Sequence, residues 1–175
     1  SSKLVEVGSN DGTLLENFKN TNIEVIGFEP SKTIAELANK KNIKTLNKFF
    51  NIQNVEDIKR FYSSVDVICS ANVIAHIPDL KDVIKCVDRL LSSKGLLIFE
   101  EPYLGSMFSK VSYDQIYDEH IFMFSVNSVK KIFDLFDFEL IDVLPQITHG
   151  GSMRYVIGRK NKHKKSEIIS KLIDD

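Results

Sequence analysis

Short apolar runs alternate along the chain with longer stretches in which apolar residues recur at helical spacing. The apolar runs predict strands over residues 4–7, 23–28, 43–46, 65–70 and 96–100. The stretches between them predict helices over residues 11–19, 31–41, 55–62 and 80–91. Repeated strand–helix–strand units predict an α/β fold, a doubly wound parallel sheet with helices on both faces.

This alternation breaks after Pro102. Residues 103–123 are aromatic and polar and lie between strands, and an insertion of this length above a sheet is often functional. A helix is then predicted over residues 125–136, followed by strands over residues 139–144 and 153–159. This order predicts a sheet of about seven strands, with the last strand inserted antiparallel beside the sixth.

Composition narrows the class of protein. The chain has 175 residues, enough for one domain with a sizeable core, and 43% are hydrophobic and 27% charged. The net charge of −1 gives no basic excess for nucleic acid, and no run resembles a membrane span or a signal peptide. Cys69 and Cys86 lie in apolar patterns without CxxC spacing, which favours buried thiols over a disulfide or a metal site. We therefore expect a cytoplasmic protein.

Glycines and polar residues follow the first predicted strand, in the sequence GSNDG at residues 8–12. Gly8 and Gly12 let the backbone approach a ligand closely, and the next helix offers unpaired N–H groups and positive potential. The stretch predicts a cradle for a small polar ligand at the carboxyl end of the first strand.

Three acids suggest what that ligand is. Glu29 ends the second strand, 21 positions after Gly8, where doubly wound nucleotide sites place an acid that binds ribose hydroxyls. The alternative is a helix-capping or solvated glutamate. The glycine spacing is GxxxG, whereas a pyrophosphate needs the closer approach of GxGxxG. Glu6 and Asp11 around Gly8 suit a cation such as S-adenosylmethionine (SAM), although Glu6 is alternatively a paired structural acid.

Further polar residues follow the fourth strand, in the sequence ANVIAHIP at residues 71–78. Because the carboxyl ends of parallel strands meet at one edge of a sheet, we expect this segment to face the same crevice. Asn72 and His76 are polar groups in apolar surroundings. For His76 the alternative is a hydrogen-bonded structural imidazole.

The insertion carries groups suited to proton transfer. If residues 114–120 form a helix, Tyr113, Tyr117 and His120 share one face and Glu119 points elsewhere. An imidazole titrates near neutrality and can remove a proton, and a tyrosine hydroxyl can hold the oxygen on which charge develops. The alternative is a packed aromatic cluster.

Five segments resemble the nucleotide-sugar C-methyltransferases in order: VEVGSNDGTLL, GFEPS, ANVIAHIPDL, YDQIYDEH and HGGSMR. Taken alone, the small residues of the segment HGGSMR either admit a substrate or make a hairpin turn. These enzymes are SAM-dependent and methylate C-3′ of thymidine-diphosphate-linked 4-keto deoxysugars. The resemblance covers nearly the whole chain and implies a class I SAM-methyltransferase fold, Rossmann-like, with residues 1–160 as the SAM-binding domain.

The resemblance also implies a set of site residues. SAM would be bound by Glu6, Gly8, Asn10, Asp11, Gly12, Glu29, Pro30, Ser31, Ala71 and Asn72. The catalytic set would be Tyr117, Glu119, His120 and His76, with His120 as the base. The base would take a proton from the carbon beside a ketone, and the resulting carbanion would accept the methyl group without a metal.

Two departures from the family pattern are visible. Asp118 stands where the family commonly has His. Family members also carry an N-terminal zinc-binding domain and a second C-terminal part, so the chain resembles the central SAM domain, with residues 161–175 as the start of a truncated C-terminal extension. Any zinc would belong to the missing domain.

Three other functions compete with a sugar C-methyltransferase acting on a small nucleotide-sugar substrate. A SAM-dependent O- or N-methyltransferase would not need the proton-removing groups of the YDEH segment. An NAD-dependent dehydrogenase would be expected to have GxGxxG. A ligand-binding domain without turnover is the third.

Overall fold

A central sheet organises the computed structural model, which describes residues 1–173. Over these residues the seven strands are β1 Ser2–Val7, β2 Ile23–Phe28, β3 Thr45–Leu46, β4 Val65–Ala71, β5 Leu91–Pro102, β6 Phe138–Gln146 and β7 Ser152–Arg159. The strand order is β3-β2-β1-β4-β5-β7-β6. β1 pairs in parallel with β2 and β4, whereas β7 is antiparallel to both β5 and β6. The predicted doubly wound sheet with its last strand antiparallel is confirmed.

Five helices lie at the predicted places with shifted ends, and two further helices, Leu104–Lys110 and Ile168–Ile173, were not predicted. They are α1 Thr13–Glu16, α2 Lys32–Lys40, α3 Ile52–Lys59, α4 Leu80–Leu90, α5 Leu104–Lys110, α6 Val126–Asp134 and α7 Ile168–Ile173. The first helix is shorter than the predicted 11–19: it starts two residues later because Gly12 before it has a left-handed backbone with φ of 82°, and it ends at Glu16, after which turns cover residues 17–20. Only the residues after Gly12 can therefore continue into helical geometry.

By internal contacts the chain divides into two compact units. The first unit contains Ser1–Ser70 and Lys81–Gly95, and the second contains Ala71–Leu80 and the chain from Leu96 onward. In the first unit, a buried cluster of Leu4, Leu15, Ala38 and Ile43 packs the opening helices against β1. The apolar residues that predicted these elements thus form the core that fixes the loop after β1.

The second unit is built on the antiparallel strands β5, β7 and β6. Phe99 of β5 stacks on Tyr155 of β7 with ring centroids 4.9 Å apart. Ser125 caps α6 through a capping box, in which the Ser125 hydroxyl oxygen accepts the Ser128 backbone N–H and the Ser128 hydroxyl oxygen accepts the Ser125 backbone N–H. These contacts fix the end of β5 and the point where the insertion rejoins the fold.

Residues 114–120 do not form the helix on which the shared face of Tyr113, Tyr117 and His120 was conditional. A single turn of 3-10 helix covers Tyr113–Gln115, and the chain then runs as a loop to α6. In a helix the Gln115 carbonyl would accept the N–H of residue 119, but here the His120 ring nitrogen Nδ1 donates to it instead. The next N–H groups, of Ile121 and Phe122, donate to the Ala75 carbonyl. Contacts outside the segment therefore replace the helical ladder.

Three further observations concern the expectations drawn from composition. Cys86 is buried and Cys69 half-buried, and neither forms a disulfide. Within residues 1–173 no group of three or more His, Cys, Asp or Glu side chains could hold a metal ion. Over the same residues, no helix has the length and apolar character needed to cross a bilayer.

Candidate active site

The loop after β1 is a tight turn built from left-handed residues. Gly8, Asn10 and Gly12 have φ of 70°, 50° and 82°. Glycine adopts such values without strain, and asparagine tolerates them better than most residues. The N–H groups of Gly8 and Ser9 both donate to the Phe28 carbonyl at 2.9 Å, so the loop lies across the end of β2. The glycine spacing therefore marks the turn that the sequence predicted.

Glu29 links this loop to the next helix. Its Oε2 accepts the Asn10 N–H at 3.1 Å, and its Oε1 accepts the Ser31 N–H at 2.7 Å. A carboxylate has about four acceptor sites, so each oxygen retains capacity for a ligand hydroxyl. Glu29 thus stands at the strand end expected of a ribose acceptor, and the helix-capping alternative describes its contact with Ser31 equally well. Pro30 and Ser31 beside it are exposed.

Glu6 is a buried acid on β1. Its side chain is 6% exposed, and within the described chain its Oε2 has no hydrogen-bond partner. Burial raises the pKa of this carboxyl from 4.5 to about 7, since an ionised group is costly away from water. Cys69 lies opposite it on β4, and burial together with the Glu6 charge raises the pKa of that thiol to about 12. Among residues 1–173 no ion pair of Glu6 is present, which does not support the paired-acid alternative.

Asp11 differs from Glu6 because its carboxylate is already bound. Lys41 Nζ lies 2.7 Å from Oδ2, and the Thr13 hydroxyl donates to Oδ1 at 2.6 Å. The hydrogen bonds from Lys41 and then Thr13 lower the pKa of Asp11 from 3.8 to about 2. Asp11 therefore stabilises the turn before α1, and its charge is offset by Lys41.

In the second unit, two left-handed residues meet beyond β4. Asn72 and His149 have φ of 55° and 50°. The Asn72 N–H donates to the Glu100 carbonyl at 2.9 Å, and its side-chain Nδ2 lies 3.4 Å from His149 Nε2. Among the residues that the structure covers, the buried Asn72 Oδ1 has no partner. The Asn72 side-chain oxygen can thus still accept a hydrogen bond. Ala71 before it is exposed.

Tyr117, His120 and His76 form one contact group, which we call the imidazole cluster. The rings of His76 and His120 have centroids 4.9 Å apart, and those of Tyr117 and His120 are 4.2 Å apart. Tyr117 Oη lies 3.0 Å from His120 Nε2. The predicted association of a phenol with an imidazole is therefore present, although a loop rather than a helix creates it.

Backbone carbonyls fix the tautomer of both imidazoles. His120 Nδ1 lies 2.7 Å from the Gln115 carbonyl oxygen, and His76 Nδ1 lies 2.7 Å from the Glu119 carbonyl oxygen. A carbonyl oxygen can only accept, so each Nδ1 carries a proton and each neutral ring has its lone pair on Nε2. On His120 that lone pair accepts the Tyr117 hydroxyl proton.

Other residues of the insertion do not join the cluster through their side chains. Glu119 contributes its carbonyl, and its carboxyl is exposed, as is that of Asp118. Tyr113 is 63% exposed. The predicted catalytic set thus divides into three side chains, with His120 in contact with both Tyr117 and His76, and one residue, Glu119, that contributes its main chain.

The sequence analysis missed Glu101, a fully buried acid at the end of β5. Its Oε1 accepts the backbone N–H groups of Val73, Ile74 and Ala75 at 3.0, 2.7 and 3.3 Å. The sequence did carry a signal for its burial, because Glu101 continues the alternation of Leu97 and Phe99 along the strand. In the structure all three are buried on the same face. Burial raises the pKa of this carboxyl to about 7, against the lowering effect of the three N–H groups.

The residues after β1 fit SAM, which carries two cationic groups and a ribose but no phosphate. Glu6 Oε2 and Ser9 Oγ are buried acceptors without a partner in the described part of the chain. Neither Glu6 nor Glu29 forms an ion pair with any residue that the structure describes. Acidic groups left open in this way favour cations and hydroxyl donors over phosphate.

A doubly wound sheet whose seventh strand is antiparallel is the fold of the SAM-dependent methyltransferases. The chain matches a model of the methyltransferase domain over residues 1–143 and belongs to that family. It is 32% identical over 150 residues to the C-methyltransferase NovU of Streptomyces niveus. That match covers 86% of this chain but 36% of NovU, so the chain spans about a third of that relative's length.

Solved structures share the fold. A SAM-dependent methyltransferase from Anabaena variabilis has a TM-score of 0.66 at 18% identity, over 91% of this chain and 77% of that one. The plantazolicin methyltransferase BpumL, solved in complex with SAH, has a TM-score of 0.63 at 11% identity, over 91% and 76% of the two chains. The resemblance to SAM-dependent methyltransferases is confirmed for family, fold and cofactor class.

Proposed function

We propose that the chain carries the donor-binding and proton-removing residues of a SAM-dependent C-methyltransferase. Its acceptor would be the C-3′ carbon next to a ketone in a nucleotide-linked deoxysugar. The observation that carries the proposal is the imidazole cluster, in which carbonyls orient both rings so that Nε2 is the basic atom. Methyl transfer to an oxygen or nitrogen does not require a base that removes a proton from carbon. NovU is a C-methyltransferase, which supports a carbon acceptor.

Donor binding is assigned to the first unit. Glu29 would accept the ribose hydroxyls, and Glu6 with the backbone of residues 8–12 would hold the cationic end. Pro30 and Ser31 would border the adenosine. A contact of Ala71 and Asn72, which belong to the second unit, with the methionine part stays a prediction from the family resemblance. When bound, SAM supplies a methyl group on a positively charged sulfur, which a carbanion can attack.

Proton removal is assigned to His120. Its Nε2 would take the proton from the carbon beside the ketone, leaving an enolate with negative charge on oxygen. The bond from Nδ1 to the Gln115 carbonyl keeps the ring in the tautomer that can accept. The same bond stabilises the imidazolium once it forms. Such a positioned base typically contributes about 10²–10⁴-fold in rate.

Tyr117 would exchange its hydrogen-bond acceptor during this step. Its hydroxyl donates to His120 Nε2 at 3.0 Å, which occupies the lone pair that must receive the carbon proton. A phenol has one proton to donate, and the ketone oxygen becomes the better acceptor as charge develops on it. Transfer of the hydrogen bond to that oxygen would free His120 and stabilise the enolate together.

His76 is the rival base within the same cluster. Its Nδ1 is bound to the Glu119 carbonyl in the same way, so its Nε2 also carries a lone pair. The two rings lie against each other with centroids 4.9 Å apart. Separate substitution of each histidine distinguishes a base from a ring that orients its neighbour.

Deuterium exchange tests the proposal directly. The full chain is mixed in D₂O with a thymidine-diphosphate-linked 4-keto deoxysugar without SAM, and exchange at C-3′ is followed by NMR. We expect enzyme-dependent exchange, and methyl transfer to the same carbon when SAM is added. Calorimetry should detect binding of SAM and not of NAD. Binding of NAD alone, or methylation of a heteroatom without exchange at carbon, would contradict the proposal.

The substrate, the cytoplasmic location and the division at residue 160 stay predictions from the sequence. The predicted extension over residues 161–175 includes α7, and its last two residues lie outside the described part of the chain. The net charge of −1 supports a small-molecule partner rather than nucleic acid.

A further inference from the structure

The Glu101 side chain supplies the hydrogen-bond acceptor that the N–H groups at the start of one turn lack. The 3-10 turn Ile74–His76 begins after Val73, and the first N–H groups of any helix have no carbonyl within the helix to bind. Here those of Val73, Ile74 and Ala75 all donate to Glu101 Oε1. Since the carboxyl is 0% exposed, water does not replace it. A single buried oxygen therefore satisfies three successive donors.

The turn held in this way supports the loop around His120 at two points. His76, at its end, donates from Nδ1 to the Glu119 carbonyl, just before His120. The Ala75 carbonyl accepts the N–H groups of Ile121 and Phe122, just after His120, at 2.9 and 3.3 Å. The main chain on both sides of the candidate base is thus bound to a turn that Glu101 fixes.

We propose that Glu101 is the positioning residue of the imidazole cluster, because it fixes the turn that holds His76 and the loop on both sides of His120. The role rests on the proposed function, since it has catalytic meaning only if His120 is the base. Glu101 is fully buried, so it would act on the reaction through its neighbours and not by contact with the reacting carbon or the donor. Its effect passes through main-chain hydrogen bonds.

The accepting oxygen, rather than the negative charge, carries this role. Either form of the carboxyl presents an acceptor at Oε1, whereas Oε2 has no partner in the part of the chain that the structure describes. The titratable groups that interact electrostatically with Glu101 include His76 on the turn and Tyr155 on β7, and Tyr103 in turn interacts with Tyr155. A glutamine retains one accepting oxygen at the same distance along the side chain. Glu101→Gln should therefore preserve the arrangement.

The test compares three variants of the full chain. Glu101→Met removes the acceptor at similar length, Glu101→Gln retains it, and Glu100→Gln is the matched control. Glu100 is the adjacent acid, bound to Arg154 and Thr148 rather than to the turn. Amide hydrogen exchange at Ile121 and Phe122 is measured without SAM or substrate. Rates of deuterium exchange at the substrate carbon give kcat and KM.

We expect Glu101→Met to speed amide exchange at Ile121 by about tenfold or more, the scale of one lost hydrogen bond. Its kcat should fall by about tenfold or more while KM changes by less than about threefold, because the base is misplaced and the binding groups are not. Glu101→Gln and Glu100→Gln should keep the amide exchange rate at Ile121, kcat and KM near those of the unsubstituted chain.

Two results would overturn the role. One is a folded Glu101→Met variant with unchanged protection at Ile121. The other concerns Glu101→Gln, which is the deciding variant if Glu101→Met does not fold. A loss of amide protection at Ile121 or a fall in kcat in Glu101→Gln would show that the accepting oxygen does not carry the role. Amide exchange needs no turnover, so an unsubstituted chain without activity contradicts the proposed function, whereas unaltered protection in Glu101→Met contradicts the positioning role.

Discussion

The two units hold their functional groups by opposite means. In the first unit, side-chain acids bind backbone N–H groups, as Glu29 does with Asn10 and Ser31. In the second unit, the candidate base itself is held by a backbone carbonyl, because the Gln115 carbonyl accepts the N–H of the His120 ring. The acid of that unit, Glu101, binds backbone N–H groups as Glu29 does, but it supports the turn rather than a ligand. The first arrangement keeps acceptors in place for a ligand. The second keeps a ring in place and leaves its other nitrogen basic.

This contrast shows what each chemical task requires. A site for a cationic donor with ribose hydroxyls needs fixed acceptors, and their affinity depends on how many remain open. A base needs one lone pair in a fixed direction, and its rate depends on orientation and tautomer. Substitutions in the first unit should therefore change donor affinity, and substitutions in the second should change the rate of proton removal.

The largest expected effect is that of His120→Asn in the second unit. Asparagine has no basic nitrogen, so deuterium exchange at the substrate carbon should fall by about 10²–10⁴-fold. The dissociation constant of SAM from calorimetry should stay within about twofold, because the acids of the first unit are untouched.

His76→Asn is the matched comparison, since both histidines are bound through Nδ1 to a carbonyl. If deuterium exchange persists in His120→Asn and disappears in His76→Asn, then His76 is the base and His120 is the ring that orients it. A parallel loss of SAM affinity in His120→Asn would instead contradict the division of tasks between the units.

The next effect concerns the buried acid of the first unit and is measured as stability. The pKa of Glu6 is about 7 in the folded chain and near 4.5 when exposed, so the folded state binds more protons between these values. Stability contributed by this group is complete below pH 4.5 and is lost as the pH rises through 7. By pH 8 the penalty reaches about 3 kcal/mol, at about 1.4 kcal/mol for each pKa unit.

Glu6→Gln removes this titration. Urea unfolding at pH 5 and at pH 8 should show that the variant gains stability relative to the unsubstituted chain as the pH rises. Glu36→Gln, at an exposed position of α2, should leave the pH dependence unchanged. A pH dependence that is identical in Glu6→Gln and the unsubstituted chain would mean that Glu6 is not the buried, unpaired acid described above.

The two units also differ in how far their sequence predicted them. Spacing was enough in the first unit, because Gly8, Gly12 and Glu29 mark a turn and a strand end that local chemistry determines. In the second unit, periodicity suggested a helix at Tyr117 and His120, and contacts with Ala75, distant in sequence, replaced it. Alternating hydrophobicity cannot report which carbonyl a ring will bind.

Glu101 illustrates the same limit more sharply. The alternation along β5 places it inward with Phe99, but nothing local shows that a turn from residues 73–75 will cover it. A buried acid in a strand is unfavourable in isolation, and its three donors come from a segment 26 to 28 positions away. Only the assembled sheet brings the acid and its partners together.

The smallest expected effect is that of Glu29→Gln in the first unit. An amide has one accepting oxygen, so Asn10 or Ser31 loses its partner and a ribose hydroxyl loses a charged acceptor. The SAM dissociation constant should rise about tenfold, as expected for one hydrogen bond to a charged group. Deuterium exchange without SAM should not change, which is the reverse of the His120→Asn result. Glu24→Gln, at the other end of β2, is the control and should alter neither value. Slower exchange in Glu29→Gln would show that the two tasks are not divided between the units.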